Sequence, residues 1–428
     1  MPRHSYLFAA IAAVAVFSAP AFAGVVGHSI AAQSLTPARI AALPAATQPA
    51  WQSYIDQSKA QRAADKAALA AELKPGEAAP AAPLEGHGDT MPLNRDAAWY
   101  ASPEARHIAD VIVSYQTPAG GWGKNQRRDG ALRQPGQPYV ANNISKYLAA
   151  DDFDTPAEPD WNYVGTLDNN ATSTELRFLG LVIAQASGHE GDAYRLSFLK
   201  GLDYLFHAQY PNGGWPQVWP LEGGYHDAIT YNDNAVSLAA ELMSDVADGK
   251  YGFVPAAVRQ KAGASAQAAI QCILDTQIQI GGQPTLWGQQ HDPLTLKPVA
   301  ARNFEPAELS SEESADLLVY LMSLPHPSAR IIAAVKGGIA YLQKAELHDI
   351  AWQRTDHGRD VVASPGAPAL WARYYSISTG KPVFGDRDKS VHDAVSELTL
   401  ERRNGYAWYN TAPQKALDAY AGWAKAHP

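Results

Sequence analysis

QYPNGGWPQVWP, residues Gln209–Pro220, follows an apolar run ending in LDYLFHA and combines a Gly-Gly turn, two tryptophans and three prolines. The same plan recurs in IVSYQTPAGGWGKN (Ile112–Asn125) and ILDTQIQIGGQPTLWGQQ (Ile273–Gln290). Each has an apolar helix end, a glutamine, a spacer, Gly-Gly, then a tryptophan followed by Gly or Pro. Glycines past a helix end supply the positive φ that stops it. The tryptophan then folds back to cover the helix terminus. A capped helix follows each polar loop. Thr172–Glu175 and Ser310–Glu313 read as capping boxes, and Asn232-Asp233 opens a third helix that stops at Gly249. Helix pairs repeating at unequal intervals predict an all-α fold, an α/α toroid with long loops. The loops around Asp168, Asp233 and Arg302 would then share one mouth. Helix N-termini there would add positive partial charge.

Residues 1–23 read as a secretory signal peptide, with Arg3, an apolar run from Leu7 to Phe17 and an Ala21-Phe22-Ala23 end. No later run is apolar enough to span a membrane, so an exported protein, secreted or periplasmic, is expected. Residues 24–95 read as an N-terminal helical arm, anchored by Trp51, Tyr54 and Ile55, and a Pro/Ala-rich linker. Residues 96–428 form the toroid. The net charge of −9 argues against a nucleic-acid partner. The lone Cys272 excludes an internal disulfide and a cysteine-based metal site.

Two chemistries compete for the polar loops. Asp168 and Asp233 suit the acid and base of glycoside hydrolysis. Equally, they suit a hard cation, with arginines gripping an acidic sugar. Blander readings stand beside these: Asp233 fits a helix N-cap, and Arg302 and Arg387 fit surface ion pairs. The Gly-Gly-Trp turns read as architectural, whereas Trp219 and Trp161 are candidates for stacking on sugar. Asp151, Asp152 and Asp154 read as a solvated acidic loop.

Several motifs occur in a telling order: QTPAGGWGKN, TLDNNATSTELRFL, QYPNGGWPQVWP, YHDAITYNDNA, the ARNFEP segment ending at Pro306, and KPVFGDRDKS with ERRNGYAWY. Together they resemble the pectate lyases of polysaccharide lyase family ten, from about Trp51 to the C-terminus. The resemblance implies an (α/α)3 toroid, calcium, and cleavage of polygalacturonate by β-elimination to unsaturated oligogalacturonides. By that resemblance Arg302 matches the catalytic base and Arg387 a carboxylate-binding arginine. Asp168 and Asp233 become metal ligands, and Asn169 and Asn232 further oxygen ligands or sugar contacts. Thr172, Lys124 and Asn125 are further substrate contacts, with Lys124 the fallback base. A monomer is expected. The competing functions are an inverting glycoside hydrolase and a catalytically dead carbohydrate-binding protein.

Overall fold

The computed structural model describes residues 24–86 and 91–427, and the expected signal peptide lies outside them. Among the described residues the helices are α1 (Pro37–Ala41), α2 (Gln48–Ala71), α3 (Pro103–Ser114), α4 (Ser173–Ile183), α5 (Asp192–Ala208), α6 (Ala235–Ala247), α7 (Ala256–Thr276), α8 (Ser311–Ser323), α9 (Ala329–Lys344), α10 (Leu400–Asn404) and α11 (Ala412–Ala426). Helices α4, α6 and α8 touch in sequence as one row. Helices α3 and α5 pack on α4, α7 packs on α6, and α9 packs on α8, with α11 against α8 and α9.

The repeated tryptophan turn builds this arrangement. Trp122, Trp215 and Trp287 are fully buried. Their indole N–H groups donate to Ile112 O (2.7 Å), Leu205 O (2.8 Å) and Ile273 O (2.7 Å). Each acceptor lies in the last turn of α3, α5 or α7, where carbonyls run short of intrahelical donors. The preceding glutamine ties each turn to the next helix. Gln116 donates to Gly120 O and to Ser197 O of α5, at 2.8 and 2.9 Å. Gln209 reaches Gly213 O and Ser265 O of α7, at 2.9 and 3.0 Å. Gln277 reaches Thr285 O and Ala334 O of α9, at 2.8 and 3.0 Å. Gly213 has φ +91°, and a Cβ there would lie 2.1 Å from Ala268 O. Only glycine lets the turn sit this close to α7.

A fourth copy escapes the sequence pattern. Trp371 Nε1 donates to Leu342 O of α9 at 2.8 Å. Here a β-hairpin, Ile350–Thr355 and Gly358–Ala363, stands between helix end and tryptophan.

The all-α expectation is corrected: the chain is 43% helical with 12% strand, in several sheets. The largest is antiparallel and six-stranded, in the order Val25–His28, Ser390–His392, Pro382–Gly385, Tyr374–Tyr375, Leu309–Ser310, Trp287–Gly288. A second sheet joins Ile229–Thr230, Gln290–His291 and Pro298–Val299. The loops between helices run through the interior, where backbone amides must pair with one another. Most of these strands are two residues long, which leaves no alternation to read.

The capping boxes do not form. Thr172 has φ +63°, and its hydroxyl donates to Thr166 O at 2.8 Å and accepts from Trp122 N at 3.1 Å. The Ser310 hydroxyl bonds the Glu313 carboxylate rather than a helix amide. Asn234, not Asp233, occupies the N-cap of α6, with φ +59°. In the N-terminal arm, Trp51, Tyr54 and Ile55 are buried, and Tyr54 Oη donates to Ala208 O at 2.8 Å.

Candidate active site

Two tight turns carry the central carboxylates. Asp168–Asn170 precedes α4 and Asn232–Asn234 precedes α6, and the turns pack against each other. Each has a left-handed centre: Asn169 at φ 49°, ψ 41° and Asp233 at φ 49°, ψ 33°. Asn and Asp tolerate that conformation better than other residues with a Cβ. The packed turns bring the carboxyls of Asp168 and Asp233 within hydrogen-bonding reach. They line a cleft of about 310 Å³ with Lys124, Asp154, Tyr163, Tyr225, Arg302 and Arg387.

The electrostatics split the pair. Burial pushes Asp168 up, but Lys124 and the hydrogen bond from Asp233 outweigh it and hold Asp168 at about 2. Burial, then the charge of Asp168, raises Asp233 well above the usual carboxylate range. The two carboxyls thus pull each other's protonation in opposite directions, as crowded carboxyls do. Lys124 donates to Asp168 and lies 3.4 Å from the centre of the Tyr163 ring. Burial opposes its charge, yet Asp168 dominates and raises its pKa.

The neighbouring amides have separate tasks. Asn232 Nδ2 donates to Asp233 Oδ2 at 2.7 Å, and its oxygen accepts from Gln289 Nε2 at 2.7 Å. Asn232 thus orients Asp233 and itself lines the cleft, with one of its oxygen's two acceptor positions used by Gln289. Asn169 Nδ2 donates to Asn125 Oδ1 at 2.8 Å, and Asn169 lines the cleft. Thr172 is fully buried, with its hydroxyl used twice in the framework. Trp219 is buried against Tyr204 (5.6 Å) and His207 (6.0 Å). Neither Thr172 nor Trp219 lines the cleft, so neither offers a sugar a face. Trp161 is likewise buried, in a cluster with Tyr139 and Val140.

Facing the carboxyls is a wall of arginines around two aromatic rings. Arg302 forks onto Glu305, Nε to Oε2 at 2.8 Å and Nη2 to Oε1 at 2.5 Å. Its guanidinium lies 4.9 Å from the Phe304 ring centre, and its side chain is 38% exposed. Burial works against that cation, but Glu305 outweighs it and holds Arg302 well above its ordinary pKa. Glu305 correspondingly sits at about 2, since Arg302 overcomes the cost of its burial. Arg387 forks onto Glu401 of α10 at 2.7 and 3.2 Å and lies 5.3 Å from Phe304.

Sequence reasoning assigned no role to several residues here. Arg373 pairs with Glu312 (2.6 Å) and Glu313 and lies over Tyr406 at 4.9 Å. Arg402 lies 4.0 Å from Phe304. Asp154 accepts from Tyr225 Oη inside the cleft and Asp152 is buried, so the solvated reading is corrected for these two, while Asp151 is exposed. The ERRNGYAWY motif was the one signal pointing at Arg402 and Tyr406.

The family model for pectic acid lyases matches residues 116–417. The chain belongs to the pectic acid lyase family. This lyase is similar in structure to the family 10 polysaccharide lyase from Cellvibrio cellulosa. Identity is 27% and the TM-score 0.64, over 78% of this chain and 97% of that one. An aspartate-to-alanine variant of that Cellvibrio cellulosa family 10 lyase, in complex with trigalacturonic acid, is 26% identical. It matches with a TM-score of 0.64, over 79% of this chain and 99% of that one. Comparison with curated proteins gives no match. The protein is a polysaccharide lyase, and its arginine wall and paired carboxyls are the parts of the cleft that its chemistry has to explain.

Proposed function

We propose that this pectate lyase is exported and cleaves polygalacturonate by calcium-assisted β-elimination, releasing unsaturated oligogalacturonides. The observation that carries the reading is the contact between Asp168 and Asp233, set opposite Arg302 and Arg387 in one cleft. Export rests on the signal-like residues 1–23. Among the described residues, no helix is long and apolar enough to cross a membrane.

Hydrolysis is disfavoured by the same contact. A glycosidase needs its two carboxyls roughly 5–9.5 Å apart to admit a nucleophile or water. Asp168 and Asp233 sit on two turns packed against each other and influence each other's protonation directly, which leaves little room for a water between them.

The donor set fits calcium as an open site. Asp168 and Asp233 are hard oxygen donors, and among the described residues no group of three His, Cys, Asp or Glu side chains could hold a metal. Two carboxylates leave most of a six-to-eight-oxygen sphere to water and substrate. Calcium held there would neutralise the uronate carboxylate and make the C5 proton more acidic. Asn232 keeps Asp233 oriented for that task. Arg387 binds a uronate carboxylate, for which its planar fork is suited.

Elimination removes the C5 proton, forms the C4–C5 double bond and breaks the C4–O bond. We assign the C5 proton to Arg302 in its neutral form, and the leaving C4 oxygen takes its proton from water. Its Nε and Nη2 are held by Glu305, so Nη1 is the guanidinium nitrogen of this cleft-lining residue that Glu305 does not engage. A guanidinium is ordinarily protonated, and Glu305 reinforces that. Arg387 and Arg402, gathered on the same Phe304 ring, oppose it. Lys124 is the poorer base, because Asp168 pins its charge.

Mass spectrometry of digested trigalacturonate tests this reading. Elimination gives one product lighter by a water than the matching hydrolysis product. Products of hydrolytic mass alone would reject it.

A further inference from the structure

The hairpin of Ile350–Thr355 and Gly358–Ala363 sets Arg354 directly opposite Arg359. Like charges in facing cross-strand positions cost stability, so packing of the hairpin does not account for the pair. Among the described residues, neither guanidinium forms a hydrogen bond or an ion pair; the polar contact of Arg359 beyond the hairpin is from its backbone N to Asn404 Oδ1 at 2.7 Å. Beside them, the Arg403 guanidinium donates to the carbonyls of Ser396 (3.1 Å) and His357, which carry no charge. Arg354 and Arg359 thus face each other without carboxylate partners and Arg403 rests on the hairpin tip at His357, although Asp356 and Asp360 stand in the same hairpin. Arg354 is exposed, and Arg359 and Arg403 are half-buried.

The hairpin tip rests on α10. A Cβ at Gly358 would meet Leu400 Cδ1 at 2.4 Å, Asn404 Oδ1 at 3.1 Å and Arg403 Nη2 at 3.3 Å. The same short helix turns Glu401 to Arg387 and Arg402 to Phe304, both at the cleft. One helix, about 10 Å across, thus separates the cleft arginines from those of the hairpin.

We propose that the Arg354–Arg359 hairpin, with Arg403, is an outer binding site for the uronate carboxylates of a polygalacturonate chain that extends from the cleft past Arg387. The inference rests on the polygalacturonate reading of the cleft. It assigns the hairpin to holding long substrate and gives it no part in bond cleavage. Arginine suits the task because its fork matches a carboxylate.

The test is R354A/R359A in the full chain, assayed on trigalacturonate and on long polygalacturonate. Two exposed charge contacts at about 0.5 kcal/mol each together make about 1 kcal/mol, so KM for the polymer should rise roughly fivefold with kcat unchanged. Turnover of the trimer should not change. Migration in native gels cast with polygalacturonate and chelator measures binding without turnover. The variant should be retarded less than wild type, and R354K/R359K should keep most of the retardation. Unchanged polymer KM and retardation would overturn the inference. So would equal losses on trimer and polymer, which would place the effect in the cleft. A wild-type chain that neither cleaves nor binds polygalacturonate would overturn the cleft reading itself.

Discussion

Arg302→Lys separates catalysis from binding most cleanly. Glu305 accepts from Arg302 Nε at 2.8 Å, Nη2 at 2.5 Å and backbone N at 3.0 Å, and from Tyr406 Oη at 2.9 Å. Lysine keeps the charge, and Glu305 keeps the backbone and tyrosine contacts. Losing one arm of the fork should therefore cost about 1–2 kcal/mol of stability and leave the fold intact. The reactive nitrogen is less forgiving. A lysine nitrogen cannot occupy the Nη1 position and bond Glu305 at once. Misplacement by about 1 Å costs on the order of a hundredfold in rate. We expect kcat to fall about a hundredfold or more, with KM for oligogalacturonate within about threefold, because the other cleft groups still bind. The assay is initial-rate formation of unsaturated uronate, with binding measured calorimetrically. Near-wild-type kcat would refute the assignment of Arg302. Loss of binding equal to the loss of rate would make Arg302 a binding group only.

Three further outcomes follow from the framework. Trp215→Phe removes the bond to Leu205 O from a fully buried site, and should lower stability by about 1–3 kcal/mol in urea titration. Gly213→Ala puts a Cβ 2.1 Å from Ala268 O at φ +91°, and should yield mostly insoluble chain, whereas Gly281→Ala, with open space around it, should stay soluble. Burial pushes the Glu222 carboxyl up from its ordinary 4.5 to about 7. Its folded pKa is raised, so the stability it lends is full below about pH 4.5 and lost as pH rises through about 7. Glu222→Gln should therefore flatten the fall in urea midpoint between pH 5 and pH 8.

What the sequence made legible was local. The Gln–Gly-Gly–Trp turn is written within one short stretch, so three of its copies could be read and a physical role given to each tryptophan. The partner of Gln209 on α7 was not legible, because Ser265 lies far along the chain. Trp371 was hidden by the hairpin before it. The strands failed for a different reason: Trp287–Gly288 and Leu309–Ser310 owe their pairing to buried loops, not to side-chain alternation. In the cleft, Asp168, Asp233, Arg302 and Arg387 stood in recognisable motifs. Asp154 looked like surface because its neighbours are acidic and Pro-rich; Tyr225 and the fold around it make it part of the cleft. Thr172 and Trp219 erred the other way. They lie in the same motifs as the cleft residues, but the chain turns their side chains inward.

The central claim is elimination at a calcium-dependent cleft. Its most direct test is the ultraviolet absorbance of polygalacturonate incubated with the protein, first with calcium and then with excess chelator. The account predicts a steady rise from the C4–C5 double bond that stops on chelation and resumes when calcium is restored. New reducing ends without that rise, or a rise indifferent to chelator, would contradict it.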